Sequence, residues 1–137
     1  MNSIKLKVAL SELYTLKDFV EKNYREDIAV HLVIEEIFVN IVNYSNAEYI
    51  IVNLEYDNDL MIEFIDNGIE FNPTSQKSPK KPDNIEEAQV GGLGILLAKS
   101  FADELIYAYE NGENHLKIIK KGVWWIITLK KYWCLLF

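Results

Sequence analysis

The chain has 137 residues, half of them apolar and 26% charged, with a formal net charge of −7. These values are typical of one ordinary globular domain with a buried core, so we predict a single domain. The negative charge argues against a nucleic-acid backbone as partner, because that contact needs clustered Lys and Arg. With a single cysteine, Cys134, neither an internal disulfide nor a thiolate metal cluster is expected.

The N-terminal residues lack the basic region and the apolar stretch of a signal peptide. No run approaches the roughly 18 to 20 apolar residues that span a bilayer. We therefore expect a cytoplasmic protein that makes no membrane contact.

The first part of the chain predicts one strand and two helices. Ile4, Leu6 and Val8 alternate with lysines, which is the period of a half-buried strand. Ser11 is predicted to cap a first helix that ends near residue 23, and Asp27 a second helix that ends near residues 44–46.

The rest of the chain predicts two hairpins, a long loop, a third helix and an apolar tail. Residues 49–54 and 60–65 alternate as strands around a turn at 57–59, and residues 105–109 and 116–119 do so across 110–113. Residues 72–90 carry no apolar period, and a loop this long inside a domain is usually functional. A helix follows Gly91. Residues 122–137 are strongly apolar and either pack on the core or contact a partner.

Three polar residues share one face of the second predicted helix. Glu36, Asn40 and Asn43 follow each other at spacings of four and three on a helix that is otherwise almost wholly apolar. Burying them without partners would cost several kcal/mol, so the pattern predicts a polar group opposite them. An Asn carbonyl oxygen suits Mg²⁺, and a carboxylate one turn earlier suits a base for a hydroxyl group. A helix-capping network or a solvated edge remains the alternative.

Two further segments carry possible ligand contacts. Asp66 follows a buried strand, where its carboxylate can accept a hydrogen bond from the amine of adenine, and Gly68 would let the backbone approach a flat ring. An ordinary Asp-Asn-Gly turn is the alternative. Gly91-Gly92-Leu93-Gly94 leads into a helix, whose free backbone amides suit phosphate, with a flexible hinge as the alternative.

In this order, the segments resemble the N box and two glycine boxes of the GHKL ATPases. The resemblance rests on Glu36 with Asn40, on residues 66–73 and on residues 91–95, and it covers about residues 1–121. Within that superfamily the chain resembles the bacterial anti-sigma factor serine/threonine kinases. The resemblance implies a Bergerat-type α/β (α+β) two-layer sandwich, in which helices cover one face of a mixed, mostly antiparallel sheet. It also implies a lid at residues 72–90, while residues 122–137 lie beyond it.

The resemblance also implies a role for each matching residue. Glu36 would be the catalytic base and Asn40 the ligand of Mg²⁺, with Asn43 on the same face of the helix. Asp66 would bind the adenine amine with Gly68 beside the ring. The phosphates of ATP would meet Gly91, Gly92, Leu93, Gly94 and Ile95. Asn114 falls near a polar position that relatives place by the adenine.

The family's partner is an anti-anti-sigma protein of the STAS type, with a sigma factor as a further client, and family members commonly form homodimers. The resemblance therefore implies a protein kinase that acts by partner switching. Two departures favour a binding module without transfer: Glu70 replaces a common glycine, and the arginine that often precedes the second glycine box is absent. A detached ATPase domain of the histidine-kinase type is the other alternative.

Overall fold

A computed structural model describes residues 1–75 and 92–122. In chain order its main elements are β1 (Asn2–Leu6), α1 (Leu13–Asn23), α2 (Ile28–Tyr44), β2 (Ile50–Tyr56), β3 (Leu60–Asp66), α3 (Gly92–Phe101), β4 (Glu104–Glu110) and β5 (Glu113–Lys120). Short 3₁₀ turns occupy Leu10–Glu12 and Pro73–Ser75. Most of the predicted lid, residue Gly91 and the extension from residue 123 lie outside the described residues.

The five strands form one sheet in the order β1-β2-β3-β5-β4. Every described pairing is antiparallel, so this part of the sheet is antiparallel throughout rather than mixed. The register sets Asp66 of β3 opposite Ile50 on one side and Asn114 of β5 on the other. The end of β3 and the start of β5 therefore place two neighbouring polar side chains, Asp66 and Asn114, on one face of the sheet.

The core lies between that face of the sheet and the helices, which confirms the predicted two-layer sandwich. Alternate residues of the central strands point into it, among them Val52, Ile62 and Phe64. Phe38 of α2 and Leu16 of α1 cover them and are fully buried. Burial of a large apolar side chain contributes about 1.5–3 kcal/mol, so this face determines how the helices pack.

The opposite face of the sheet carries a network of polar side chains. The Tyr49 hydroxyl donates to Glu113 Oε2 at 2.6 Å, and Asn53 Nδ2 donates to Glu63 Oε1 at 2.9 Å. His115 lies 3.8 Å from each of these two carboxylates. None of this network reaches the helical layer.

The predicted cap of α2 is confirmed, whereas the predicted cap of α1 is wrong. Asp27 Oδ1 accepts from the backbone amides of Ala29 at 3.0 Å and Val30 at 3.3 Å. Ser11 instead lies inside the first 3₁₀ turn, and α1 begins without a side-chain cap. The reason is local, because Glu12 N already donates to Ala9 O at 3.0 Å and closes a turn ahead of the helix.

Both predicted hairpins are confirmed. The turn of the second consists of Asn111 and Gly112, whose φ values are 53° and 75°. Two successive positive φ values match the right-handed twist of the strands, and Asn-Gly adopts them easily. Within the described residues, no helix is both long and apolar enough to cross a bilayer.

Candidate functional site

A cavity of about 280 Å³ opens between α2, the end of β3, the turn after it, and the β4–β5 hairpin. Most of its wall is apolar or aromatic, including Ile37, Ile41, Tyr44, Phe64, Phe71 and Tyr107. Asn40, Asp66, Glu70 and Asn114 are among its polar members. A concave, mostly apolar pocket with a few fixed polar groups is the usual form of a small-ligand site.

Asp66 is the buried acid of this cavity, with 5% of its surface exposed. Its Oδ1 accepts from the amide of Gly68 at 2.9 Å and from Asn114 Nδ2 at 3.1 Å. Its Oδ2 accepts no hydrogen bond within the described residues. Burial raises the pKa of the Asp66 carboxyl above its ordinary value, and the two hydrogen bonds oppose that rise. One carboxylate oxygen is thus held by the protein and the other is left for a donor.

Gly68 is required for a reason that differs from the predicted one. A Cβ at this position would lie 2.4 Å from the carbonyl oxygen of Ser45 and 2.6 Å from its Cβ. The next amide, that of Ile69, donates to the same Ser45 oxygen at 2.8 Å. The close approach that needs a glycine is therefore to the C-terminal end of α2, and Gly68 is not part of the cavity wall.

The neighbouring Asn67 has a structural role that the sequence did not reveal. Its Oδ1 accepts from the amides of Glu48 at 2.7 Å and Tyr49 at 3.2 Å. These two bonds tie the segment before β2 to the turn after β3. They help to fix the end of β3 from which Asp66 projects.

The three polar residues of α2 occupy different surroundings. Asn40 is half-buried and lines the cavity, and its side chain makes no hydrogen bond within the described residues. Glu36, one turn earlier, is also half-buried but does not line the cavity, and Asn43 is exposed and away from it. The predicted stripe is therefore less buried than its sequence suggested, and one of its members reaches the cavity.

The glycine-rich segment is placed at the start of α3. That helix begins at Gly92 and contains Leu93, Gly94 and Ile95. It packs against α2, so its first turn and the polar residues of α2 belong to the same layer. The first backbone amides of a helix have no carbonyl partner within it and favour an anion.

Asn114 joins four parts of the site. Its Nδ2 donates to Asp66 Oδ1 and, at 2.9 Å, to the carbonyl of Ile69. Its Oδ1 accepts from the amide of Phe71 at 3.0 Å and from the Tyr107 hydroxyl at 2.5 Å. Sequence reasoning missed Tyr107 altogether, because its link to Asn114 depends on the register of β4 against β5.

The donor set of the cavity fits a metal-bound nucleotide. Its described wall carries the carboxylates of Asp66 and Glu70 and no Lys or Arg. A polyphosphate beside such a wall requires positive charge from elsewhere, which a hard divalent cation such as Mg²⁺ would supply through oxygen ligands. The side-chain amide of Asn40, which has no hydrogen-bond partner among the described residues, offers the neutral oxygen that this ion accepts.

Comparison with known proteins shows the family to which the chain belongs. Residues 5–120 match a family model described as a histidine kinase-like ATPase domain. The serine/threonine-protein kinase BtrW of Bordetella bronchiseptica is 33% identical over 60 residues, which are 44% of this chain and 42% of that protein. The alignment thus spans less than half the length of that relative.

A solved structure gives the fold independently of sequence. The Acinetobacter baumannii histidine kinase AdeS shares the fold with a TM-score of 0.54, over 90% of this chain and 68% of that one. Identity is 12%, so the likeness concerns the fold alone. Because the family model matches most of this chain, the chain belongs to the histidine kinase-like ATPase domains, as its GHKL-type motifs predicted.

Proposed function

We propose that the chain is an ATP-dependent protein serine/threonine kinase of the anti-sigma type, with a small anti-anti-sigma protein of the STAS type as its substrate. Membership of an ATPase family supports ATP as the nucleotide, and the relative named as a serine/threonine kinase supports a serine or threonine hydroxyl as the acceptor. One observation carries the proposal. Asp66 Oδ2 and the Asn40 amide line the same cavity, and neither has a hydrogen-bond partner in the described structure.

Each of these groups has a task in nucleotide binding. Asp66 Oδ2 accepts a hydrogen bond from the exocyclic amine of adenine, whose ring lies against the apolar wall of Ile41, Phe71 and Tyr107. The Asn40 oxygen would hold Mg²⁺, which would supply positive charge beside the phosphates. The first backbone amides of α3 bind the phosphate oxygens.

Phosphoryl transfer then requires positioning and one proton acceptor. The acceptor hydroxyl oxygen forms a bond to the γ-phosphorus as the bond from that phosphorus to the β,γ-bridging oxygen breaks. ADP leaves with the bridging oxygen, and the hydroxyl proton passes to the Glu36 carboxylate. Glu36 is half-buried one turn before Asn40, so it lies on the same side of α2.

The transfer is tested by incubating the chain with labelled ATP, Mg²⁺ and the STAS-type protein encoded nearest to it. Wild type is expected to label the acceptor, and Glu36→Ala to lose the transfer while still binding ATP. The matched control is Glu35→Ala, because Glu35 is the adjacent acid and pairs with Lys17 at 2.9 Å on another side of the helix. Equal transfer by wild type and Glu36→Ala would refute Glu36 as the base.

The chemistry of the product separates the protein kinase from a histidine-kinase-type ATPase domain. A phosphoserine or phosphothreonine ester survives acid, whereas phosphohistidine is hydrolysed. Label that is stable in acid is therefore expected. Acid-labile label would assign the domain to the second class.

A binding module without transfer is the second candidate, and the cavity wall gives a specific reason for it. Glu70 lines the cavity while Glu36 does not, so the described wall holds an acid near the nucleotide and lacks the proposed base. Tight ATP binding with no labelled acceptor, for any STAS-type protein tried, would favour the module. The sigma-factor client and the homodimer remain predictions of the resemblance, and the cytoplasmic location remains a prediction from the sequence.

A further inference from the structure

Asn114 has no capacity left to bind a ligand. An Asn side chain donates two hydrogen bonds and accepts two at its carbonyl oxygen. Nδ2 donates to Asp66 and Ile69, and Oδ1 accepts from Phe71 and Tyr107. The residue is 6% exposed although it lines the cavity.

The chemistry of its partners fixes the orientation of this amide. The backbone N–H of Phe71 can only donate and the carbonyl of Ile69 can only accept, so Oδ1 faces the first and Nδ2 the second. The Tyr107 hydroxyl, at 2.5 Å from Oδ1, must then be a donor. It completes the second acceptor position and ties β4 to the turn after β3.

We propose that Asn114 is a positioning residue rather than a nucleotide contact, and that the Tyr107 hydroxyl acts on nucleotide binding through it. The pair holds Asp66 Oδ1 and the turn at residues 68–71 in place, which leaves Asp66 Oδ2 turned to the ligand. This inference rests on the proposed adenine-nucleotide site. It differs from the sequence prediction, which placed Asn114 beside the adenine itself.

A double-mutant cycle distinguishes action through Asn114 from direct contact. Calorimetry with Mg-ATP would compare wild type, Tyr107→Phe, Asn114→Leu and the double variant. Loss of one hydrogen bond in Tyr107→Phe is expected to lower the affinity for Mg-ATP by about three- to tenfold. Asn114→Leu is expected to lower it by more than about tenfold. In the Asn114→Leu background, Tyr107→Phe should change affinity by less than about twofold, because the hydroxyl has lost the group it positions.

Tyr109→Phe is the matched control for the hydroxyl. Tyr109 lies two residues along the same strand and is 40% exposed, and its hydroxyl makes no hydrogen bond within the described residues. Its variant should bind ATP as wild type does. Melting curves of all variants would show that each is folded at the assay temperature.

The ratio of the affinities for ATP and inosine triphosphate provides a readout that a loss of overall stability does not change. Inosine triphosphate carries a carbonyl oxygen where ATP carries the amine, so a carboxylate acceptor should reject it by at least about tenfold in wild type. Loss of positioning is expected to reduce this ATP preference in Asn114→Leu. A variant that is merely less stable would weaken both nucleotides equally.

A second variant covers the case in which Asn114→Leu does not fold. Asn114→Asp keeps the shape and the acceptor oxygen toward Phe71 and Tyr107 but loses both donated bonds, and it sets a second carboxylate beside Asp66. This variant should lower the affinity for ATP by more than about tenfold at pH 8. Wild-type-like affinity in this variant, or additive effects in the cycle, would overturn the inference while leaving the ATP site intact. A wild type that binds no ATP would overturn the proposed function and this inference with it.

Discussion

Replacement of Gly68 by Ala tests how the turn after β3 supports the cavity. The added carbon would lie 2.6 Å from Ser45 Cβ, whereas carbon atoms pack favourably at about 3.5–4.0 Å. The backbone must therefore move by about 1 Å. That movement pulls on the Ile69 to Ser45 hydrogen bond and on the Gly68 amide that holds Asp66.

The expected cost follows from these contacts. Overpacking typically costs about 1–3 kcal/mol, and a weakened hydrogen bond adds about 1 kcal/mol. The sum of about 2–4 kcal/mol lowers Tm by about 6–16 °C for a domain of this size. Affinity for Mg-ATP should fall as well, because Asp66 moves with the turn.

Thermal unfolding followed by circular dichroism, with calorimetry at a temperature where the variant is folded, measures both effects. Gly112→Ala is the matched control, since Gly112 has a φ of +75° but no atom within 4 Å of an added Cβ. The control loses about 1–2 kcal/mol through backbone strain and keeps wild-type affinity for ATP. A Gly68→Ala protein as stable as wild type, or one that is destabilised with unchanged affinity, would refute the reasoning.

Three other substitutions separate binding from stability. Asp66→Asn should abolish measurable ATP binding in calorimetry. Burial raises the pKa of Asp66 in the folded protein above its value in the unfolded chain. The stability that Asp66 contributes is therefore present below its unfolded pKa and lost as pH rises through its folded pKa. Urea melts of Asp66→Asn should not show this decrease in the free energy of unfolding with pH. Glu70→Gln removes an acid from the cavity wall and should raise the affinity for ATP by about two- to fivefold at low salt. Added salt should reduce this effect. Asp27→Ala removes the cap of α2, which should cost about 1 kcal/mol in urea melts without changing ATP affinity.

Most elements of the fold could be predicted from the sequence because their apolar periods are strong. The strands around residues 57–59 alternate clearly, and the structure pairs them as Ile50–Tyr56 and Leu60–Asp66. Boundaries were less predictable. β1 ends at Leu6 rather than Val8, and a 3₁₀ turn took the place of the Ser11 cap, since short backbone bonds at a helix start leave no periodic signal.

The site could be predicted only where one residue type at one position carries the chemistry. Asp66 and Asn40 do line one cavity, as the motif pattern indicated. The reasons for Gly68 and the roles of Asn67 and Tyr107 were not predictable, because each depends on a contact with a segment distant in sequence. Ser45 meets Gly68 only through packing of the end of α2 on the turn, and Tyr107 meets Asn114 only through strand pairing.

The central claim is that Asp66 and Asn40 form an adenine-nucleotide site. Titration of the purified chain with ATP in a calorimeter, with and without Mg²⁺, tests it most directly. The account predicts saturable binding at one site per chain that Mg²⁺ strengthens in wild type but not in Asn40→Leu. No heat for any adenine nucleotide, with or without a divalent cation, would contradict it.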